Sequence, residues 1–597
     1  MNRPSKTKSL LIPLFTALTG IFAACTNSDY DFNEIDLTLG LGGDELVIPT
    51  SNTKEMFIDD FLELEDGDCV QVQDNGDYAF VQEGNDVDPA KPMVEKPNFT
   101  FEPNPLEVIL DEYLQNSPNE TKNLTRADHD IIKIGREYEV VTFEFDAEQP
   151  EILSIQQADI TAKLTLTTTF SDALKRNIQE FDKFEWLLPE YLIVDKEKTN
   201  AKGVTYNEKT NSLSFTNVAT TNGISFDIYL SKFDFTKMQD KELKVTDGKL
   251  SIKGEILLHI YNAYVTPNKE QKPTDVRITS NLSLSNEGIS INKATGKFDP
   301  EIDLSDLGDI EVSNTPDFLD NEDVKIDFAN PQIIVNIANN MNVAAILNGT
   351  LTAIKGNTSK EIKINEIKIN PADEGETKIC ICKNNDESIK TKYAGYTIKE
   401  VKNLSDLFVN DAIPDRIKFG AEVKVDNNRG YSTIELGKEY EIKPSYEIFI
   451  PIAFGEKAII SYSDTIDNLQ DDLDGIELTK DAYLELTANV ENKLPMHLNA
   501  KVIPLDINGE NISKNVSIDI KENMPGTKDE KKAAEGNLKI TIKGDIKQLD
   551  KLVFTIDGRA TEEGQSITGV TLNKNKHSLK LKNVNVKIVG RIIYDAN

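Results

Sequence analysis

Hydrophobic and polar residues alternate with a period of two along most of the chain, for example in Ile160–Leu166, Leu250–Ile256 and Leu538–Ile542. Alternation of this kind is typical of antiparallel strands that bury one face and expose the other. Turn pairs such as Asp247-Gly248 separate the alternating runs. The pattern therefore predicts an all-β protein made of tandem antiparallel β-sandwich-like modules.

One predicted strand carries an interruption. The segments Ile362–Ile364 and Ile367–Ile369 each place isoleucines at alternate positions, but the two are out of phase across Asn365 and Glu366. A continuous strand can keep all these isoleucines on one face only if it bulges between them.

Helical periodicity is confined to two stretches. Residues 53–64 place apolar residues at helical spacing behind a Ser/Thr start, which predicts a short helix packed on neighbouring strands. Residues 171–187 repeat the spacing with Leu174, Ile178 and Phe181 and predict an amphipathic helix that ends before Pro189.

A hairpin is predicted near the N-terminus. The apolar runs Cys69–Gln73 and Tyr78–Val81 flank a turn in which Asn75 and Gly76 tolerate a positive φ. Five prolines within residues 84–105 then indicate an extended linker. Together with composition, these signals predict a signal peptide at 1–24, an acidic membrane-proximal α+β module at 25–100, and β modules at 101–300, 301–420 and 421–597.

Two segments share an unusual order of strand, asparagine-rich break and strand. They are Val335–Asn340 running to Ile346–Gly349, and Leu486–Asn492 running to Leu498–Ala500. The pair resembles the immunoglobulin-like sandwich of stress-type late-embryogenesis domains, which place an asparagine before the turn. The match is too short to imply a function.

The N-terminus has the order of an export signal. Residues 1–8 carry three positive charges, residues 9–24 form an apolar run, and Cys25 follows two alanines. Sixteen residues are too few to span a hydrocarbon core of about 30 Å comfortably. Phe22-Ala23-Ala24-Cys25 resembles the bacterial lipoprotein box, with Phe22 in place of the usual leucine. The resemblance implies that the Cys25 thiol is lipidated and that Cys25 becomes the mature N-terminus.

The stretch after the cysteine is acidic. Residues 26–90 contain 18 acids and one base, Lys54, and the whole chain has a formal net charge of −35. Such a charge repels phosphate-rich surfaces and excludes nucleic acid as a partner. Thr26–Asp31 resembles the acidic signal that sends Bacteroidetes lipoproteins to the outer face of the outer membrane. The predicted location is therefore the bacterial outer membrane, lipid-anchored and surface-exposed, with a periplasm-facing anchor as the alternative.

A further resemblance covers about 60 residues. Tyr30–Asp36, Leu46–Pro49, Asp66–Asp68 and Asn75–Gly84 together resemble the N-terminal module of uncharacterised cell-envelope lipoproteins of Bacteroides-like bacteria. The resemblance implies a lipid-anchored envelope protein and supplies no catalytic or ligand-binding residues.

Candidate chemistry is sparse. The sequence has one tryptophan and four separated histidines, His129, His259, His497 and His577, and it lacks phosphate-loop, nucleophile-elbow and zinc-protease motifs. No catalytic, cofactor-binding or metal site is predicted, and no cofactor. The only predicted functional residue is Cys25, as the site of lipidation.

Two other features leave alternatives open. Cys380 and Cys382 face one side of a predicted strand, as small core side chains or, with Cys69 or further ligands, as a disulfide or metal site. The acidic stretch 464–475 does not fit an EF-hand, and a solvated loop is favoured over a calcium site.

These observations predict a lipid-anchored envelope protein with a binding, adhesive or structural role and without catalysis. Its partners would be the outer membrane, through the lipid, and a macromolecule or surface. A carrier for a lipid or other apolar ligand and a surface glycan-binding lipoprotein are the alternatives.

Overall fold

The computed structural model describes residues 39–41, 45–49, 53–62, 64, 68–84, 87–115, 131–199, 203–266, 270–304, 308–316, 319, 324–408, 412–472, 476–478, 482–589 and 592–594. Its regular structure is nearly all β. The predicted all-β class with antiparallel, sandwich-like modules is confirmed. Helices in the described residues are short: α1 Asp59–Leu62, α2 Asp111–Gln115, α3 Asp172–Asn177, α4 Lys196–Thr199, α5 Glu387–Lys392 and α6 Leu469–Asp472.

The N-terminal segment, residues 39–109, contributes short strands. They are β1 Leu39–Leu41, β2 Glu45–Pro49, β3 Met56–Phe57, β4 Val70–Val72, β5 Tyr78–Glu83, β6 Thr100–Pro105 and β7 Glu107–Ile109. The predicted hairpin is confirmed, because β4 and β5 pair with Val72 opposite Tyr78. Gly76 takes the positive φ of the turn, at +86°.

The first sandwich, residues 131–298, packs two sheets around one apolar core. Its strands are β8 Ile131–Glu148, β9 Ile152–Phe170, β10 Ile178–Leu187, β11 Leu192–Val194, β12 Val204–Asn207, β13 Ser212–Ala219, β14 Ile224–Asp234, β15 Leu243–Lys244, β16 Lys249–Val265 and β17 Arg277–Phe298. One sheet has the order β12-β13-β10-β16-β8-β6, and the other contains β11-β14-β9-β17. In β9 the alternation predicted the burial correctly, since Ile160, Ala162, Leu164 and Leu166 all face the core.

The predicted helix over residues 171–187 is wrong beyond Asn177. Helix α3 ends there, and residues 178–187 form β10. The apolar spacing of three residues that suggested a helix coincides with a register shift between Ile178 and Glu180 in the pairing with β16. Burial of Phe181 and Phe184 between the sheets outweighs the helical spacing.

The middle sandwich follows. Its strands are β18 Asp309–Glu311, β19 Gln332–Asn339, β20 Ala345–Lys355, β21 Thr358–Ile369, β22 Thr377–Cys382, β23 Thr397–Glu400, β24 Arg416–Val425, β25 Ser432–Glu435 and β26 Ile442–Pro451. The sheet β18-β24-β20-β21 faces the sheet β23-β22-β19-β26-β5-β4, while β25 pairs with β17 of the first sandwich.

The predicted bulge lies in β21. Its pairing with β20 shifts between Ile364 and Ile367, and Glu366 has a φ of +59°. The Glu366 N–H donates to Asn348 Oδ1 at 3.0 Å, which satisfies a backbone group that the bulge removes from the ladder. All four isoleucines of the strand are consequently buried on one face.

The C-terminal sandwich shares one continuous apolar cluster with the middle one. Its strands are β27 Ile459–Ile466, β28 Ile476–Leu478, β29 Tyr483–Asn492, β30 His497–Leu505, β31 Val516–Asn523, β32 Ala534–Gly544, β33 Lys551–Arg559, β34 Thr561–Glu562, β35 Gln565–Ser566, β36 Ser578–Val589 and β37 Ile592–Tyr594. The sheet β2-β36-β29-β32-β31 faces β27-β33-β30.

The two asparagine-containing breaks have the same hydrogen bonds. Asn339 ends β19, where its Nδ2 donates to Val343 O at 3.0 Å and its Oδ1 accepts from the Met341 N–H at 2.9 Å. Asn492 ends β29 and bonds at the same offsets, to Met496 O at 3.0 Å and from the Leu494 N–H at 2.8 Å. Each Nδ2 also donates to a more distant carbonyl, Asn370 O or Pro525 O. The weak sequence repeat is therefore a structural repeat between the middle and C-terminal sandwiches.

The N-terminal segment runs along all three sandwiches in turn. Strands β2 and β3 pair with β36, β5 pairs with β26, and β6 and β7 pair with β8 and β17. The sequence predicts a separate α+β module at 25–100, but the described strands of this stretch extend sheets of the later sandwiches. Strands of two to six residues bury too little surface to form an independent sheet. The limits predicted at residues 300 and 420 stay predictions.

The helix predicted over residues 53–64 is shorter than expected. Met56 and Phe57 form β3, and α1 covers only Asp59–Leu62. The Asp60 carboxylate accepts from the Phe57 N–H at 2.9 Å and holds the bend between the two elements. Pairing with β36 satisfies backbone groups that a longer helix would have to satisfy internally.

Candidate functional site: a groove beside an open strand edge

A groove of about 890 Å³ lies in the first sandwich. It lies where β10 ends at Leu187 while the neighbouring strand β16 continues to Lys249. The chain leaves the sheet at Leu188 and crosses to β11 in the facing sheet. The lining residues are Glu102, Pro103, Asn104, Thr142, Phe143, Glu144, Leu187, Leu188, Pro189, Glu190, Tyr191, Thr210, Lys253, Gly254, Glu255 and Leu257.

In the described sheet, no strand pairs with the groove side of β16 between Lys249 and Ile256. The N–H and C=O of Lys249 both bond to Thr246, at 2.9 and 3.2 Å, and so point away from β8. Because these groups alternate sides along an antiparallel strand, those of Ser251, Lys253 and Glu255 point the same way. Residues 249–256 pair only with β8 in the described sheet. The groove therefore borders an exposed strand edge.

Tyr191 closes one wall of the groove. Its hydroxyl donates to the Lys253 carbonyl at 2.6 Å, and burial raises the pKa of this tyrosine above its usual value. A Cβ atom at Gly254 would lie 2.4 Å from Phe143 Cζ and 2.6 Å from the Tyr191 hydroxyl oxygen. Glycine at position 254 thus lets the two rings pack across the strand.

The groove is acidic. Its single lysine, Lys253, is held 2.9 Å from Glu144 Oε1, and hydrogen bonds from Ser251 and then from Lys253 lower the pKa of Glu144. Among the described residues, Glu102, Glu190 and Glu255 form no ion pair, so three carboxylates remain to attract cations. The arrangement combines an open strand edge with negative charge, and it suits binding.

The one predicted site residue, Cys25, lies outside the described residues, as does His129. Within the described ranges, no helix is long and apolar enough to cross a membrane. In the same ranges, no three His, Cys, Asp or Glu side chains are grouped as metal ligands. The acidic stretch 464–475 lies only partly within the described residues, and the hypothesis that it binds calcium stays untested.

The other cysteines are free and buried. Cys380 and Cys382 share one face of β22, as predicted, and pack against Tyr393, whereas Cys69 belongs to a different apolar cluster. Burial raises the pKa of Cys69 to about 11 and that of Cys380 to about 12. These thiols stay protonated at neutral pH and act as small apolar side chains.

The described histidines lie apart. His259 is on β16, with Nδ1 3.3 Å from Glu137 Oε1, while His497 and His577 are buried in the C-terminal sandwich. In both buried rings Nδ1 accepts a backbone N–H, and burial lowers the pKa of His577. None of the three lines the groove.

Two other cavities are smaller. One of about 480 Å³ has a mainly polar lining that includes Asp327, Asn384 and Lys457. The other, of about 80 Å³, is apolar and lies in the C-terminal sandwich between Phe61, Met496 and Leu579.

Comparison with known proteins finds no match to a family model or to a curated protein. A candidate secreted protein from Parabacteroides distasonis is similar over 50% of this chain and 83% of its own, with 13% identity and a TM-score of 0.34. A triple jelly-roll protein of an archaeal virus covers 84% of this chain and 91% of its own, with 10% identity and a TM-score of 0.11. The VP2 subviral particle of infectious bursal disease virus covers 85% and 82%, with 8% identity and a TM-score of 0.11. With all three TM-scores below 0.5, these likenesses carry no argument about function.

Proposed function

We propose that this protein is a lipid-anchored cell-envelope protein that binds a macromolecular partner and carries out no catalysis. The observation that supports this most is the path of the N-terminal segment. From a lipidated Cys25, the chain would reach the C-terminal sandwich first through β2, then the middle sandwich through β5, and the first sandwich last. The acidic groove thus belongs to the sandwich that the chain reaches last from the anchor.

The composition of the groove supports binding over chemistry. Its carboxylates stand beside a paired lysine and aliphatic side chains, without a histidine, cysteine or serine among the lining residues. Histidine most often serves as the base, and cysteine and serine as nucleophiles, in general acid–base and nucleophilic catalysis, and none of the three lines the groove.

The alternatives gain no support from the described cavities. Small-molecule sites usually measure roughly 300–1,000 Å³. The groove of about 890 Å³ has this size, but its four glutamates do not suit an apolar ligand, and the apolar cavity of about 80 Å³ is too small for a lipid chain. Glycan platforms present open aromatic faces, whereas Phe143 and Tyr191 in the groove are 4% and 7% exposed and Trp186 is fully buried.

The anchor is tested by replacing the lipidated cysteine. We expect the natural chain to stay in the membrane fraction after a high-salt wash and Cys25→Ser to be released as a soluble protein, because two or three acyl chains supply the membrane affinity. Persistence of Cys25→Ser in the washed membranes would contradict the anchor. Protease treatment of intact cells, which reaches only surface-exposed chains, separates the outer from the periplasmic face.

The absence of catalysis is tested separately on the purified Cys25→Ser chain. We expect no turnover of a panel of glycoside, ester and peptide substrates. Turnover that disappears in Glu144→Gln, while the thermal midpoint is unchanged, would overturn the non-catalytic assignment.

A further inference from the structure

We infer that the groove of the first sandwich binds an extended, basic peptide segment of a partner protein, which adds as a strand to the open edge of β16. This inference rests on the proposed function, binding of a macromolecule, and names the chemistry of the bound part. Three observations support it: the strand edge without a partner strand, the dimensions of the groove and the charge of its walls.

The strand edge without a partner strand is the first observation. Between Ser251 and Glu255, the outward N–H and C=O groups have no partner strand, because β10 stops at Leu187. One of these groups, the Lys253 carbonyl, already accepts a hydrogen bond from the Tyr191 hydroxyl. Exposed strand edges pair readily with another chain, and proteins often cover or charge them. Here the edge is left open inside a groove, which is the arrangement used when a peptide completes a sheet.

The dimensions fit an extended peptide. Ser251 to Glu255 is a stretch of five residues, about 17 Å long in extended conformation at roughly 3.4 Å per residue. Leu187, the last residue of β10, bounds the groove at one end. Thr210, which precedes β13, also lines it. A groove of about 890 Å³ has room for a short strand.

Charge decides which peptide is preferred. Outward-facing Glu255 lies beside the edge, and Glu102 and Glu190 stand on other walls, while Lys253 is already paired with Glu144. Lysine or arginine at alternate positions of the peptide would meet these carboxylates. The intervening positions would point to the opposite side, where Phe143 and Tyr191 form an apolar wall. An acidic peptide would be repelled.

The test uses the full Cys25→Ser chain and a fluorescent peptide of sequence Lys-Val-Lys-Val-Lys, with Glu-Val-Glu-Val-Glu as the charge control. We expect saturable binding of the basic peptide, measured by fluorescence anisotropy, and at least tenfold weaker binding of the acidic one. A basic peptide N-methylated at one backbone position that faces the strand edge should also bind about tenfold more weakly, because one lost hydrogen bond of about 1.4 kcal/mol corresponds to that factor.

A matched pair of variants locates the site. Glu255→Pro removes an N–H that points into the groove and leaves the β8 ladder intact, since proline is tolerated where the strand N–H faces outward. Glu255→Gln keeps this N–H and removes one charge. We expect at least tenfold weaker binding for Glu255→Pro and a smaller, salt-dependent loss for Glu255→Gln. Should Glu255→Pro fail to fold, the N-methylated peptide still decides.

Several results would overturn the inference. They are equal binding of the basic and acidic peptides, undiminished binding of the N-methylated peptide, or no binding of any peptide. A dimer of the chain itself that Glu255→Pro dissolves would name a second copy as the occupant and also overturn it. Failure of this inference is distinguished from failure of the proposed function by mass spectrometry of the peptide after incubation. A cleaved peptide would contradict the non-catalytic role, whereas an intact peptide that does not bind would contradict only the inference.

Discussion

Asn339 and Asn492 each close the turn after a strand with one side chain that makes three hydrogen bonds. Asn492 is fully buried, so its bonded carbonyls and N–H cannot turn to water when the side chain is removed. Leaving a buried polar group without a partner costs more free energy than a typical hydrogen bond contributes to stability.

We therefore predict that Asn492→Ala lowers the stability of the C-terminal sandwich by about 2–3 kcal/mol. The measurement is the urea dependence of amide exchange in β29 and β30. Asn428→Ala, at an exposed position, is the control and should change little. Equal exchange in both variants would contradict a stabilising role for the three hydrogen bonds of Asn492.

His577 makes stability depend on pH. It is 1% exposed, accepts the Asn573 N–H through Nδ1, and has a pKa lowered by burial. Its folded pKa is below its unfolded value of about 6.5, so the unfolded chain binds the proton more strongly. Stability from this group is complete above about pH 6.5 and is lost as the pH falls below it.

We predict that His577→Asn, which keeps an acceptor but does not titrate, loses less stability than the natural chain between pH 7.5 and 5.5. Thermal unfolding at the two pH values measures this difference. An identical loss in both proteins would show that other groups cause the acid sensitivity.

At the scale of single elements, the bulge in β21 determines which side chains reach the core. Deleting Asn365 and Glu366 together would make Ile367 follow Ile364 directly and turn Ile367 and Ile369 away from the apolar cluster. We predict a loss of about 4 kcal/mol or more, comparable with emptying a core position. Glu366→Gly, which keeps the register and relieves the positive φ, should leave the unfolding midpoint within a few degrees. A deletion variant as stable as the natural chain would contradict this account.

Element types followed from the sequence where one periodicity dominated. Alternation predicted β9 and β16, and the phase change between Ile364 and Ile367 predicted the bulge. In β10 the same reasoning failed, because a register shift spaced Ile178 and Phe181 like helix neighbours. The groove could not be predicted from the sequence, because it exists only where β16 extends beyond the end of β10. The packing of both sheets sets the relative lengths of these two strands, which lie about 70 residues apart in the chain.

At the scale of the whole molecule, the N-terminal segment joins parts that are distant in sequence. Ile58 and Leu62 enter the shared apolar cluster, and β2 covers the edge of β36. These contacts belong to the C-terminal sandwich, whereas the first sandwich has its own core.

We predict that removing residues 25–64 from the soluble chain speeds amide exchange in β36 and β29 by at least tenfold and leaves β9 and β16 unchanged. Loss of a covering strand and of two buried side chains exposes the sheet edge and opens the core beside it. Hydrogen exchange measured by mass spectrometry reports both regions in one experiment, so the first sandwich is the internal control. Equal acceleration in all strands would indicate a single cooperative unit instead.

The pairing of β2 with β36 also bears on how the protein is made. Thr53 bonds to Leu581, 528 residues further along the chain. A chain synthesised from its N-terminus exposes Leu46, Val47 and Ile48 early, and their partner strand β36 is among the last residues made. Contacts of such long sequence separation form late, so β2 stays unpaired for nearly the whole of synthesis. A ribosome that stops a few dozen codons early would release a protein in which β2 has no partner strand, and proteases would cleave it as an unfolded end.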